Sequence, residues 1–150
     1  MTRATGYWHT GVTVREAARF AAYLHEVLGL EIAEPVMLAE ATAEMVTGIS
    51  DAGIRATFAR GPGITIELLE YASSPDKAAM TPPDGIGGMH LAFMVDDLDA
   101  VLAAGAPWGR RLVGSIFTAT AGPRVGWRIC YTTDDDGILI ELAQAARPPV

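Results

Sequence analysis

The chain has 150 residues, half of them hydrophobic, and a net charge of −7, which suits one compact domain or two small halves sharing a core. An acidic chain without a stripe of Lys or Arg is a poor candidate for binding nucleic acid or an anionic membrane surface. One cysteine excludes an internal disulfide, and no apolar run approaches the ~20 residues that cross a bilayer. We therefore expect a cytoplasmic protein, with Cys130 in the core and Arg110–Arg111 as a solvated surface pair.

The first half of the chain predicts a strand, a helix and further strands. The first strand begins at His9 and runs through HTGVTV to Val14, and apolar side chains at helical spacing follow it. Residues Thr13–Glu16 have the form of a capping box at the start of this helix, and Gly29 is placed to end it. Three strands are predicted next, at residues 30–37, 54–61 and 63–71, with residues 38–48 as a short helix or long loop.

The second half predicts the same order of elements. A strand begins at His90, Asp96 or Asp97 caps the helix after it, and Gly105 ends that helix. Strands follow at residues 111–120, 125–133 and 137–144. The segment Thr133–Gly137 (TDDDG) ends in Asp-Gly, which is typical of a hairpin turn. It lacks the alternating Asp and Asn ligands of a calcium loop, so we expect a turn and not a calcium site.

The two halves also resemble each other in detail. GITIELLE at residues 63–70 and GILIELAQ at residues 137–144 agree at five of eight positions. A repeat of this length indicates a duplicated module and not a solenoid unit. We expect an α+β fold of order βαβββ-βαβββ in a single domain of residues 1–150. Module one spans about 7–72, a linker 73–87, and module two about 88–145.

Four polar side chains stand out on these strands: His9, Glu67, His90 and Glu141. Since strand side chains alternate between faces, each of them lies opposite the bulkier, apolar face of its strand. A carboxylate in an apolar strand is costly to bury unpaired, and here this occurs twice at equivalent places. One explanation is that both strands are sheet edges with a wet face. The other is that the four side chains converge on one divalent cation.

These motifs resemble those of the vicinal oxygen chelate superfamily, which includes glyoxalase I, methylmalonyl-CoA epimerase, extradiol dioxygenases and bleomycin resistance proteins. The similarity runs from about residue 7 to residue 144, through HTGVTV, YLHEVLGLEI, ITIELLEY, MHLAFMVDDLDAV and DDDGILIEL. It implies two tandem βαβββ modules forming a curved sheet around a metal-binding cleft. It also implies one divalent metal ion (Zn, Ni, Co, Mn or Fe) held by His9, Glu67, His90 and Glu141.

The His-Glu-His-Glu set is similar to that of bacterial glyoxalase I. The resemblance implies a metal-dependent isomerase or lyase that transfers a proton next to a carbonyl through an enediolate or enolate, with Glu67 and Glu141 as catalytic residues and a small carbonyl compound as substrate. Glu40 and Glu44 are further candidates for the base. Two alternatives stay open: a non-catalytic small-molecule binding or resistance protein, and an Fe-dependent extradiol-type dioxygenase. The resemblance also implies a homodimer, with the site inside one chain or shared between two.

Overall fold

The structure, a computed structural model, describes residues 3–72 and 84–146. The chain divides into two compact units, Met1–Lys77 and Ala78–Val150. Of the predicted linker, residues 73–87, only the last four lie within the described residues. None of the helices described is long and apolar enough to cross a membrane.

The first unit contains one sheet and two helices. In chain order, its elements are β1 (Thr10–Thr13), α1 (Ala17–Glu26), β2 (Glu31–Ile32), β3 (Val36–Leu38), α2 (Glu40–Thr47), β4 (Ile54–Gly61) and β5 (Ile64–Tyr71). The strand order is β1-β5-β4-β2, and β3 also pairs with β4. Strand β1 runs parallel to β5, whereas the other pairs are antiparallel. Strand β5 is therefore central, with a neighbour on each side.

The second unit repeats this arrangement. Its elements are β6 (His90–Met94), α3 (Leu98–Gly105), a 3-10 turn (Ala106–Trp108), β7 (Arg111–Leu112), β8 (Phe117–Thr118), β9 (Arg128–Thr133) and β10 (Leu139–Gln144). The strand order is β6-β10-β9-β7, and β8 also pairs with β9. Strand β6 is parallel to β10, as β1 is to β5. The predicted α+β fold with two tandem modules is confirmed.

The second predicted strand of each module differs from the prediction. The strand expected at residues 30–37 is split into β2 and β3, and Pro35, which has no backbone N–H to pair, lies in the gap. The strand expected at residues 111–120 is reduced to β7 and β8, two residues each. Residues 40–47 form a helix, one of the two alternatives predicted for that region.

The first helix starts differently from the prediction. No side chain at its N-cap, Glu16, makes a capping hydrogen bond, so the capping box predicted from Thr13 is wrong. Instead the backbone N–H of Ala17 donates to Glu70 Oε2 of β5 at 2.7 Å. The free N–H groups of a first helical turn can be satisfied by any acceptor within reach, so a distant carboxylate replaces the local cap.

The N-terminus of helix α3 is capped both by a neighbouring residue and by a distant one. Asp97, as predicted, is the N-cap and accepts from Ala100 N at 3.0 Å. The N–H of Leu98 donates to Gln144 Oε1 at 3.3 Å. Gln144 occupies the place in the GILIELAQ repeat that Glu70 occupies in GITIELLE. The last residue of each repeat therefore accepts a hydrogen bond from a backbone N–H in the first turn of the helix in its own unit.

The two glycines predicted to end helices lie at the helix ends, but their backbone conformations differ. Gly29 adopts a left-handed φ of 72°, and its N–H donates to His25 O at the end of α1. Helix α3 ends at the predicted residue, Gly105, but this glycine has a right-handed φ of −77°, and the chain continues directly into the 3-10 turn. The left-handed glycine, Gly109 with a φ of 81°, follows that turn.

The buried face of each sheet follows the predicted alternation. Ile66 and Leu68 in β5, and Ile140 and Leu142 in β10, are essentially inaccessible to solvent. Cys130 is a buried free cysteine, as predicted, and burial raises the pKa of its thiol.

Arg110 was expected in a solvated pair, and this is wrong. Its side chain is buried and donates to Asp134 Oδ2 at 2.8 Å and to the backbone and hydroxyl oxygens of Thr132 at 3.0 Å. Arg111 is exposed and pairs with Asp135. Gly137 N donates to Asp134 O at 3.1 Å, which forms the predicted hairpin turn between β9 and β10. Arg110 therefore anchors this turn to the sheet.

Candidate metal centre

The first unit brings His9 and Glu67 together. His9 Nε2 lies 3.0 Å from Glu67 Oε2, and both side chains are about four-fifths buried. In the parallel ladder between β1 and β5, Gly11 is the partner of Glu67. His9 lies two residues before Gly11, on the same face of the sheet. The pair is thus set by strand register and is not a chance contact between long side chains.

The second unit brings His90 and Glu141 together at the equivalent place. His90 Nε2 lies 3.2 Å from Glu141 Oε2. Ala92 is the parallel partner of Glu141, and His90 again lies two residues before it. The imidazole of His90 is more open than that of His9, with 43% of its side chain exposed against 20%. Both units therefore assemble the same histidine-carboxylate pair by the same ladder geometry.

The glutamates do not lie on sheet edges. Glu67 has Gly11 beside it on β1 and Phe58 beside it on β4. Glu141 is likewise flanked on both sides, by β6 and by β9. The edge-strand explanation of these two carboxylates is therefore wrong. Each is held on a central strand, where an acidic side chain needs a compensating partner.

An aromatic ring accompanies each pair, which the sequence prediction did not find. Phe58, the antiparallel partner of Glu67, has its ring centroid 5.8 Å from that of His9, edge to face. Tyr131, the antiparallel partner of Glu141, has its centroid 5.1 Å from that of His90, also edge to face. The signal was present in the sequence, because counting outward from the predicted turn pairs residue 131 with residue 141.

The hydroxyl group of Tyr131 makes the two pairs chemically different. It lies 3.5 Å from His90 Nε2. The pKa of the phenol is raised by burial first, and then by its hydrogen bond to the Glu141 carboxylate and by the negative charge of that group. In the first unit, His9 instead contacts the exposed ring of Trp8, with centroids 4.5 Å apart.

The remaining predicted residues lie elsewhere. Glu40 and Glu44 are exposed on α2. Across the part of the chain that the structure describes, no group of three or more His, Cys, Asp or Glu side chains is gathered as a metal site. Each unit thus supplies two donors, and the convergence of His9, Glu67, His90 and Glu141 stays a prediction.

The two ring nitrogens of His9 have different surroundings. The Nδ1 atom of His9 is buried and has no hydrogen-bond partner among the described residues. Its Nε2 atom faces the carboxylate of Glu67. The ring is therefore oriented by packing between Trp8 and Phe58, with one nitrogen directed at an acidic group.

A sequence profile of the Glyoxalase/Bleomycin resistance protein/Dioxygenase superfamily matches residues 6–142. The chain belongs to this superfamily. A curated relative from Actinomyces sp., named 2-epi-5-epi-valiolone epimerase, is 30% identical over an alignment of 145 residues that covers 93% of this chain and 79% of the relative. The resemblance stated from the sequence motifs is thereby confirmed.

Solved structures of the superfamily share the fold. A glyoxalase family protein from Bacillus cereus superposes with a TM-score of 0.82 at 22% identity, covering 97% of both chains. An E144Q mutant of glyoxalase I from Zea mays superposes with a TM-score of 0.65 at 19% identity, covering 94% of this chain and 46% of that one. At these identities the similarity concerns the fold.

Proposed function

We propose that this superfamily member is a metal-dependent isomerase or lyase that transfers a proton next to the carbonyl group of a small substrate. The observation that carries the proposal is the pair of equivalent histidine-carboxylate contacts, each set by the same strand register. The epimerase name of the Actinomyces relative and the fold shared with glyoxalase I support the same class of chemistry.

The donor atoms fit a divalent cation. Two ligands bound about 2.0–2.1 Å from one zinc ion lie roughly 3.3 Å apart in tetrahedral geometry and about 2.9 Å apart in octahedral geometry. The nitrogen-oxygen distances in the two pairs, 3.0 and 3.2 Å, lie within this range. Imidazole nitrogen and carboxylate oxygen together suit Zn, Ni, Co, Mn or Fe better than Ca or Mg. His9, Glu67, His90 and Glu141 would hold the ion.

The two pairs meet either inside one chain or between two copies in a homodimer, and a mixing experiment separates these arrangements. His9→Ala and His90→Ala each destroy one pair. If sites are shared in a two-fold dimer, unfolding and refolding the two variants together restores roughly one quarter of the wild-type metal sites, because mixed dimers contain one intact site. If each site lies within one chain, no sites are restored. Sedimentation of the wild-type protein reports the dimer independently.

The carboxylates are the proposed proton carriers. A bound divalent ion supplies Lewis acidity that stabilises negative charge on the substrate carbonyl oxygen. In each pair one carboxylate oxygen, Oε2, lies against the histidine, which leaves Oε1 of Glu67 or Glu141 to accept a proton from the neighbouring carbon. Delivery of the proton to the adjacent carbon would complete an isomerisation, and delivery of a proton from the other glutamate to the opposite face of the same carbon would complete an epimerisation. The rings of Phe58 and Tyr131 flank the imidazoles and reduce the access of water.

Metal content and solvent exchange test the proposal together. Protein purified without chelator, or reconstituted with Zn²⁺, Ni²⁺, Co²⁺, Mn²⁺ or Fe²⁺, should hold one ion per site, and Glu67→Ala should lose it. In deuterated water, the active protein should introduce deuterium next to the carbonyl of a processed substrate. A screen of small ketones begins with 2-epi-5-epi-valiolone, the compound in the relative's name.

Two other outcomes would replace the proposal. Thermal stabilisation by a small molecule that is insensitive to chelator, in protein that binds no metal, would indicate a binding or resistance protein. Oxygen consumption with a catechol under iron loading, without deuterium incorporation, would indicate extradiol-type chemistry. Retention of the ion in Glu67→Ala would remove Glu67 from the ligand set.

A further inference from the structure

The two histidine-carboxylate pairs share their register but differ in one atom that bears on metal binding. Each glutamate has an aromatic residue as its antiparallel partner, Phe58 for Glu67 and Tyr131 for Glu141. Both rings meet the adjacent histidine edge to face. Only Tyr131 carries a hydroxyl, and it brings a hydrogen-bond donor to the second pair that the first pair lacks.

The hydroxyl of Tyr131 lies beside His90 Nε2, and the carboxylate of Glu141, the cross-strand partner of Tyr131, lies 3.2 Å from the same nitrogen. The distance to Nε2, 3.5 Å, is too long for a strong O–H···N bond. The carboxylate is the better acceptor, because hydrogen bonds to ionised groups are about twice as strong as neutral ones. An imidazole nitrogen that gives its lone pair to a cation accepts no proton, so metal binding leaves the carboxylate as the partner of the hydroxyl.

We propose that Tyr131 is a positioning residue: its hydroxyl donates to the Glu141 carboxylate and holds that group beside His90. This inference rests on the proposed metal site. The pair of His90 and Glu141 is less enclosed than the pair of His9 and Glu67, because 43% of the His90 side chain is exposed, against 20% for His9. An additional hydrogen bond therefore contributes more to holding the second pair together. The carboxylates are similarly covered, at 23% and 18% exposure, so the difference lies in how each histidine is enclosed.

A partner that orients a metal ligand typically changes metal affinity by about 10–100-fold when it is removed. Tyr131→Phe deletes only the oxygen and keeps the ring against His90. We expect it to weaken Co²⁺ affinity by about tenfold and to change the visible absorption of bound Co²⁺, which reports carboxylate geometry. The melting temperature of the metal-free protein should stay within about 2 °C of the wild type, because Tyr131 is partly exposed.

A metal-free measurement tests the hydrogen bond itself. With ¹³C-labelled glutamate, Tyr131→Phe should shift the side-chain carboxyl resonance of Glu141 and leave that of Glu67 in place. Tyr7→Phe is the matched control, since it removes a hydroxyl that bonds Thr10 on the exposed N-terminal segment. It should change neither the Glu141 resonance nor Co²⁺ affinity.

The outcomes separate the two proposals. An unchanged Glu141 resonance in Tyr131→Phe overturns the inference, and so do wild-type Co²⁺ affinity and spectrum in that variant. A wild-type protein that binds no Co²⁺ overturns the proposed function, while the carboxyl resonance still decides whether Tyr131 holds Glu141.

Discussion

Glu67 and Glu70 lie three residues apart on β5 and point to opposite faces of the sheet, so they form a natural pair of substitutions. Glu67 faces His9, whereas Glu70 accepts the N–H of Ala17 at the start of α1. Glu67→Gln keeps the side-chain shape and removes its charge. Glu70→Ala removes an acceptor from a helix start. We predict that the first substitution abolishes metal stabilisation at little cost to folding and that the second does the reverse.

The magnitudes follow from the contacts. An exposed ion pair contributes about 0–1 kcal/mol, and the partial burial of Glu67 adds a desolvation cost that offsets its attraction to His9. Glu67→Gln should therefore change the metal-free stability by less than about 1 kcal/mol, or about 4 °C in a chain of this length. Loss of the helix-start acceptor in Glu70→Ala should cost about 0.5–2 kcal/mol.

With metal added, the two variants should differ in the opposite sense, because only Glu67→Gln should lose the stabilisation that the ion provides. An ion present at about 100 times its Kd stabilises the folded state by about 2.7 kcal/mol, which raises the melting temperature by roughly 5–11 °C. If Glu67→Gln weakens binding a hundredfold, only about 0.4 kcal/mol of this stabilisation is left. Glu70→Ala should retain the full rise from its lower starting point.

The assay is differential scanning calorimetry of both variants and the wild type, with and without Co²⁺ or Zn²⁺. A full metal-induced rise in Glu67→Gln would refute the need for a charged carboxylate at this position, and a full rise in Glu67→Ala would refute the assignment of Glu67 as a ligand. A rise that disappears in Glu70→Ala would show that metal binding depends on the general integrity of β5 and not on the face that carries Glu67.

Three further predictions concern the second unit. Arg110→Met should lower the free energy of unfolding by roughly 3 kcal/mol in urea titrations, because it leaves Asp134 and Thr132 without their buried partner; a loss below about 1 kcal/mol would contradict the anchoring role. Cys130, buried and with a raised thiol pKa, should react with a thiol reagent at pH 8 only after unfolding. The hydrogen bond from Arg128 lowers the pKa of Asp99 below its ordinary 3.8. The wild type should therefore be more stable than Asp99→Asn at pH 7, and this difference should disappear as the pH falls through the lowered pKa of the folded state. Equal urea midpoints of the two proteins at pH 7 would contradict the prediction.

The alternation of side chains was sufficient to predict the faces of the strands. The two-residue period placed His9 and Glu67 each opposite the apolar face of its own strand, and the burial of Ile66 and Leu68 follows from the same rule. Duplication extended the prediction to His90 and Glu141. These four positions were therefore accessible from single-strand patterns together with the repeat.

Contacts between distant segments were not accessible in this way. Glu70 was not predicted to receive the start of α1, because that contact depends on how the helix packs over β5 and not on a local capping motif. Arg110 looked like half of a surface pair, since nothing near it in sequence reveals Asp134 across the sheet. Gly105 was predicted as the end of α3 and is its last residue, but the 3-10 turn that continues from it to Gly109 was not predicted.

Each imidazole meets its acidic partner inside its own unit, and this has a consequence for how such proteins diversify. Under the proposed function, an imidazole and a carboxylate are already paired within each unit, so a change in how two pairs are brought to one ion would alter its coordination without replacing a donor. Related proteins with the same histidine-glutamate pairs could therefore differ in the number of metal ligands and in the substrate they accept.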